Sequence, residues 1–158
     1  AFSTFIAQNY GAKENERIKQ GLKDAVCISG LFCIVISVLV FVFAKPLMMI
    51  FVDAKETSII LEGVRYLRIE GAFYIGIGCL FLLYGLYRAL GRPGMSVVLT
   101  VFSLGTRVAL AYILSSIPQL GVTGIWWSVP IGWALADLVG LVYYKMNKHN
   151  LLSFGGKL

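Results

Sequence analysis

The chain has few charged residues and little of what acid–base or metal chemistry needs. Charged side chains make up 14% of its 158 residues, with eight acidic groups and one histidine, whereas soluble proteins carry about 25% charged residues. The sequence shows no nucleophile–base pair, no cluster of metal ligands and no glycine-rich phosphate loop. This pattern indicates a protein that is not an enzyme and carries no cofactor or metal, and His149 is expected in a polar tail.

Cysteine is also scarce. Cys27, Cys33 and Cys79 all fall within apolar segments, and their spacing fits neither a metal site nor a redox motif. We expect buried, reduced thiols that pack as small apolar side chains.

Long apolar runs are what the sequence has in quantity. Hydrophobic residues make up 58% of the chain and mean hydropathy is +0.80, and one helical crossing of a bilayer needs about 20 apolar residues. The pattern predicts an all-α, polytopic transmembrane helix bundle in which membrane lipid is the main partner. Its four complete spans are predicted at 24–44, 69–90, 95–116 and 124–144. Residues 1–10 are interpreted as the end of a further span in a chain cut within that helix.

Shorter signals lie between the spans. Gly11 is expected to end the first helix in a left-handed conformation, and a charged loop should follow over 13–23. Pro46 is expected to stop the helix over 24–44. The Asp53-x-x-Glu56 pattern resembles a capping box at the start of an amphipathic surface helix over 54–68. Residues 145–158 should form a cytoplasmic tail.

Small residues recur on two of the predicted helices, at positions that share one helix face. They are Gly71, Gly78 and Gly85 on the second span and Gly132, Ala136 and Gly140 on the fourth. Small side chains let membrane helices approach closely. Pro130 should kink the fourth span.

Positive charge alternates between the two sides of the predicted bundle. The loops over 13–23 and 88–92 and the tail together hold nine Lys and Arg residues, and the opposite side holds four. The positive-inside rule places the nine-residue side in the cytoplasm. As a separate expectation, we place the bundle in a bacterial plasma membrane. This distribution explains the net charge of +6 better than nucleic-acid binding does.

Two charges fall within predicted spans. Arg107 and Asp137 each cost about 2.5–3.5 kcal/mol at the centre of a membrane helix, and their predicted depths differ by less than about 10 Å. We expect them to interact, directly or through a water. A fixed interhelical pair or a snorkelling arginine is one interpretation, and a place in a transport pathway is the other.

Two further residue types, a glutamate and tyrosines, are candidates for the pathway. Glu70 lies near the outer surface, either solvated or paired with Arg65 or Arg68. Tyr74, Tyr84 and Tyr87 offer aromatic faces that could hold organic cations, although packing is the commoner role of such side chains.

Three segments resemble the C-terminal lobe of the multidrug and toxic compound extrusion family. They are QNYGA at 8–12, YRALGRP at 87–93, and TRVALAY at 106–112 followed by GIWWSVPIGW at 124–133. The resemblance covers about 8–144 with the spacing intact.

The resemblance implies two six-helix lobes, of which this chain holds the end of the eighth helix and the ninth to twelfth. It implies an antiporter that exports cationic or amphipathic drugs in exchange for sodium ions or protons by alternating access, with the N-terminal lobe as a partner. Some members carry an acidic cation ligand on the tenth helix, whereas 74–87 here contain no carboxylate. A flippase for lipid-linked sugars and a membrane scaffold remain as alternatives.

Overall fold

The computed structural model describes residues 1–152, apart from the side chains at 149, 150 and 152. The structure therefore does not test the prediction for the His149 side chain. The end of the predicted tail, including Lys157, also lies outside the described residues. The described chain forms seven helices: α1 (Phe2–Gly11), α2 (Asn15–Val42), α3 (Ala44–Met49), α4 (Thr57–Ala72), α5 (Tyr74–Ala89), α6 (Pro93–Ser115) and α7 (Gly121–Leu152).

The predicted all-α membrane fold is confirmed. Three helices, α2, α6 and α7, are long and apolar enough to cross a bilayer. A fourth crossing exists if α4 and α5, which meet at a bend of 49°, together count as one span. The outward face of α2 carries exposed Ile28, Leu31 and Phe32, as expected for a helix whose solvent is lipid.

The predicted charged loop over 13–23 is wrong, because α2 begins at Asn15. Ile18 is buried and Leu22 packs against the core. A helix is favourable over this segment because it turns these two apolar side chains towards the core. The turn before it has its left-handed residue at Lys13, with φ 62°, and not at Gly11, which ends α1. Cys27 on α2 is exposed, contrary to the expectation of a buried thiol.

The helix predicted over 24–44 ends earlier, at Val42, and the short α3 follows after Phe43. Proline has no N–H, so Pro46 cannot donate to the carbonyl of Val42 four residues earlier. The backbone hydrogen-bond ladder of α2 therefore breaks two residues before the predicted end. Pro46 lies in the first turn of α3 instead of stopping a helix.

The helices predicted over 54–68 and 69–90 are placed differently. Asp53 Oδ1 accepts a hydrogen bond from the Lys55 N–H at 3.0 Å and caps no helix, so the predicted capping box is not formed; α4 starts at Thr57 with no side-chain cap. The chain then breaks at Phe73. Gly71 lies against Val40 of α2, and glycine on both sides of the break, at 71 and 76, weakens a continuous helix.

The last helix is longer than predicted. The expected span over 124–144 and the first part of the tail form one helix, α7, which continues through Pro130 to Leu152. Tyr143, Tyr144 and Leu151 belong to the packed core, so helical spacing keeps an apolar face in contact with the bundle beyond the predicted end of the span.

Helix α5 lies at the centre of the bundle, with α1 and α2 on one side and α6 and α7 on the other. Its buried Leu80, Leu83 and Leu86 form the core with Leu99 of α6 and Ala136 of α7. The Tyr87 hydroxyl donates to the carbonyl of Gly140.

The predicted small residues lie at helix contacts, but Gly71 belongs to α4, so Gly71, Gly78 and Gly85 do not share one face of a single helix. Gly78 lies against Cys33 of α2, and Gly85 lies against Ser3 of α1. On α7, Gly132 lies against Arg107, and Gly140 against Leu83 and Leu99.

Candidate functional site

Arg107 lies well inside α6 and faces α7. It stands 14 residues after the start of the helix at Pro93, which is about 21 Å along the axis. The guanidinium carbon is 5.9 Å from the centre of the Trp133 ring, within the range of a cation–π interaction. Its aliphatic stem crosses Gly132, where a Cβ atom would overlap Arg107 Cγ.

Arg107 also lines a small cavity between α5, α6 and α7, which we call the Arg107 pocket. Its volume is about 130 Å³. Polar groups come from α5 and α6, and an aromatic face comes from α7. The lining residues used below are Tyr84, Thr100, Ser103, Leu104, Arg107 and Trp133.

Asp137 lies one turn beyond Trp133 on α7 and faces α5. It is 8% exposed. Its Oδ2 is 3.8 Å from the position that a Cβ atom would occupy on Gly76, and the Cys79 thiol lies beside the same carboxylate. Its Oδ1 is buried with no hydrogen-bond partner among the described residues.

The predicted direct pair between Arg107 and Asp137 is not formed. The ion pairs in the described chain join Lys19 to Glu16 and Arg65 to Glu62. Arg107 reaches Trp133 from α6, whereas Asp137, one turn beyond Trp133 on α7, is directed at Gly76 of α5. Similar depth on adjacent helices was therefore not enough to bring Arg107 and Asp137 together. The Arg107 side chain leaves α6 towards α7, whereas the Asp137 side chain leaves α7 towards α5.

Glu70 is not paired with either predicted arginine. Arg65 binds Glu62 at 3.4 Å, and the Arg68 guanidinium carbon lies 5.2 Å from the centre of the Phe41 ring. The Glu70 carboxylate lies beside the Tyr66 hydroxyl instead, and the Tyr66 ring meets Trp126 edge-on with centroids 6.0 Å apart.

The candidate tyrosines separate into different places. Tyr84 lines the Arg107 pocket. Tyr74 lies on the other side of α5, in a groove of about 510 Å³ that also touches α1 and α2. Tyr87 is fully buried and packs edge-on against Tyr143, so it faces no cavity.

Sequence reasoning missed several residues beside the two charges. Thr100 and Ser103 precede Arg107 by seven and four positions, a spacing that places all three on one helix face. Trp133 precedes Asp137 by four positions on α7. Those signals were present in the sequence, whereas the approach of Cys79 and Gly76 to Asp137 depends on how α5 packs against α7.

Comparison of the chain with known protein families gives a match over most of its length. The MatE family model matches residues 1–113. The chain belongs to the MatE family of multidrug and toxic compound extrusion proteins. This is a family of membrane transporters and not of enzymes.

Individual relatives agree with this assignment. The chain is 29% identical to "Probable multidrug resistance protein YoeA" of Bacillus subtilis (strain 168) over 146 residues, which cover 92% of this chain and 31% of that protein. It is 24% identical to "Probable multidrug resistance protein NorM" of Thermotoga maritima over 127 residues, covering 80% of this chain and 27% of the relative. The chain thus spans about a third of the length of these relatives.

A solved structure shows the same fold. It is described as the inward-facing conformation of a multidrug resistance MATE family transporter of the MOP superfamily. The match has a TM-score of 0.88 and 21% identity, and covers 98% of this chain and 36% of the other. At this identity the match supports the fold alone.

Proposed function

We propose that this chain is part of a multidrug antiporter of the bacterial plasma membrane, which exports amphipathic and cationic compounds in exchange for protons or sodium ions. Family membership and the multidrug resistance names of the relatives support export of drugs. The remaining lobe of the transporter is the partner against which these helices would move during alternating access.

The observation that carries the coupling part of the proposal is the buried Asp137 carboxylate. An unpaired charge inside a membrane helix bundle is costly and is by default a functional candidate. Binding a cation removes that cost, and releasing it restores the cost, so the carboxyl group can couple ion movement to rearrangement of the helices packed around it.

The lack of a carboxylate on α5 also supports a coupling role for Asp137. The stretch 74–87 has no carboxylate, although some family members carry an acidic cation ligand on the corresponding helix. In this chain a carboxylate from α7 lies against α5 at Gly76, where glycine leaves room for it. We therefore assign the coupling role within this chain to Asp137.

The surroundings of Asp137 favour a proton as the coupling ion. Sodium, a hard cation, prefers several oxygen ligands, as hard cations generally do. The groups beside Asp137 in this chain include the Cys79 thiol and Gly76. Neither residue supplies a side-chain oxygen. A single proton needs only the carboxylate itself.

The test uses the full-length parent transporter in cells that lack their main efflux pumps. The wild type should lower accumulation of a lipophilic dye cation, and collapsing the proton gradient should abolish this effect while removal of sodium should not. Asp137→Asn, which keeps the shape but not the charge, should reduce efflux at least about tenfold. Glu62→Gln, an exposed carboxylate on α4, is the matched control and should retain efflux.

Three outcomes would count against the proposal. Unchanged accumulation over a panel of cationic dyes contradicts drug export. Loss of efflux on removal of sodium alone makes sodium the coupling ion. Normal proton-driven efflux by Asp137→Asn removes Asp137 from coupling.

A further inference from the structure

Arg107 is an intramembrane cation that forms no ion pair in the described chain. No carboxylate of residues 1–152 lies within ion-pair distance of it, and its contacts include the Trp133 ring and Gly132. Neither of the two other carboxylates at membrane depth pairs with it: Glu70 lies beside the Tyr66 hydroxyl, which is itself near enough to Arg107 to feel its charge, and Asp137 lies against Gly76 of α5. A guanidinium carries five N–H donors and stays charged, so this one can bind an anion.

The Arg107 pocket has the chemistry for such an anion. Ser103 is buried on the same face of α6, and Thr100 and Tyr84 add further hydroxyl-bearing residues to the lining. Leu104 and the Trp133 ring provide apolar surface beside them. The polar part can therefore hold a charged group while the apolar part holds the carbon skeleton attached to it.

We propose that the Arg107 pocket binds the carboxylate of a zwitterionic or anionic amphipathic substrate. Planar guanidinium and planar carboxylate match in a two-bond arrangement. The cavity volume of about 130 Å³ equals roughly four water molecules in the liquid. This space suits a carboxylate and a few attached carbons and is small for a phosphodiester with its glycerol, so we commit to the carboxylate of a substrate. This proposal rests on the proposed drug export.

The decisive comparison is between two dyes that differ only in the carboxylate. Rhodamine B is zwitterionic at neutral pH, and its ethyl ester is a cation of nearly the same shape. The full-length transporter is expressed as wild type, Arg107→Gln, Arg107→Lys and Arg92→Gln. Glutamine retains the Cγ atom that crosses Gly132, and Arg92 is an exposed arginine at the start of α6 and serves as the matched control.

The wild type should export both dyes. Arg107→Gln should lower the initial efflux rate of rhodamine B by about tenfold or more, because a charged hydrogen bond is lost. The same variant should lower the initial efflux rate of the ester by less than about twofold. Arg107→Lys should restore part of the rhodamine B export because it keeps the charge, and Arg92→Gln should behave as the wild type.

Several results would overturn the proposal. Equal loss of both dyes in Arg107→Gln would make Arg107 a general requirement for folding or transport. Unchanged export of both would leave the pocket unused. Export of the ester but not of rhodamine B by the wild type would contradict carboxylate recognition while leaving drug export intact. A stability of the purified protein that depends on Arg107 and on phosphatidylglycerol, with rhodamine B export unchanged, would assign the pocket to a lipid phosphate.

A binding measurement separates failure of this proposal from failure of the proposed function. Purified full-length transporter is heated with each dye, and the unfolding midpoint is recorded. Stabilisation by rhodamine B beyond that by the ester, lost in Arg107→Gln, supports the pocket even if neither dye is exported. Equal stabilisation by both dyes, or none, contradicts it.

Discussion

Gly124 of α7 lies directly against the backbone of Leu114 in α6. A Cβ atom on Gly124 would stand 2.7 Å from the Leu114 carbonyl oxygen, closer than such atoms approach in proteins. Because a backbone carbonyl cannot turn aside as a long side chain can, this contact fixes how tightly the α6–α7 hairpin closes. The same hairpin carries Arg107 and Trp133, so its geometry sets the Arg107 pocket.

We expect Gly124→Ala to destabilise the protein by about 1–3 kcal/mol, the usual cost of overpacking. The measurement is the unfolding midpoint of the purified full-length transporter in detergent. Gly105→Ala is the control, because nothing lies within 4 Å of a Cβ atom at that position of α6 and alanine has the higher helix propensity. Equal behaviour of the two variants would contradict the close contact.

Gly132→Ala should act through Arg107. The added Cβ atom overlaps Arg107 Cγ, so the stem must shift and the guanidinium must leave its place over Trp133. In a double-mutant cycle with Arg107→Ala, which removes that Cγ atom, we expect a coupling of about 0.5–3 kcal/mol. Strictly additive losses would show that the two residues do not touch.

Arg107 and Asp137 should behave as independent sites. Since no ion pair joins them, the stability changes of Arg107→Gln and Asp137→Asn should add to within about 0.5 kcal/mol. The double variant is measured beside the two single variants by thermal unfolding. Recovery of stability in the double variant, relative to the sum, would reveal an interaction, direct or through water.

The orientation of the bundle can be checked by labelling. The structure brings positive charge together at one end, where Lys23 at the start of α2 and Lys148 near the end of α7 both lie close to Glu16. The positive-inside rule places this end in the cytoplasm. In a variant without native cysteines, an impermeant thiol reagent applied to intact cells should modify Thr57→Cys and not Ala12→Cys, both of which are exposed positions. The reverse pattern would invert the assignment.

Much of the candidate site could be predicted as a set of residues but not as an arrangement. The intramembrane charges stand out because lipid makes each of them costly, and Thr100, Ser103 and Arg107 share a face by helical spacing. The direct form of the predicted pair was wrong because depth along two helices says nothing about the direction in which each side chain leaves its helix. That direction depends on how the helices are rotated about their own axes.

The sequence by itself determined the class of the molecule. Apolar runs of bilayer length require helices, since a backbone in lipid must satisfy its own hydrogen bonds, and the positions of Gly78, Gly132 and Gly140 already marked the faces on which these helices meet. Only the tertiary structure decided where the helices break and which groups meet. The break at Phe73, the extension of α7 to Leu152, and the placing of Asp137 against α5 and of Arg107 over Trp133 all follow from contacts between distant segments, which local pattern does not record.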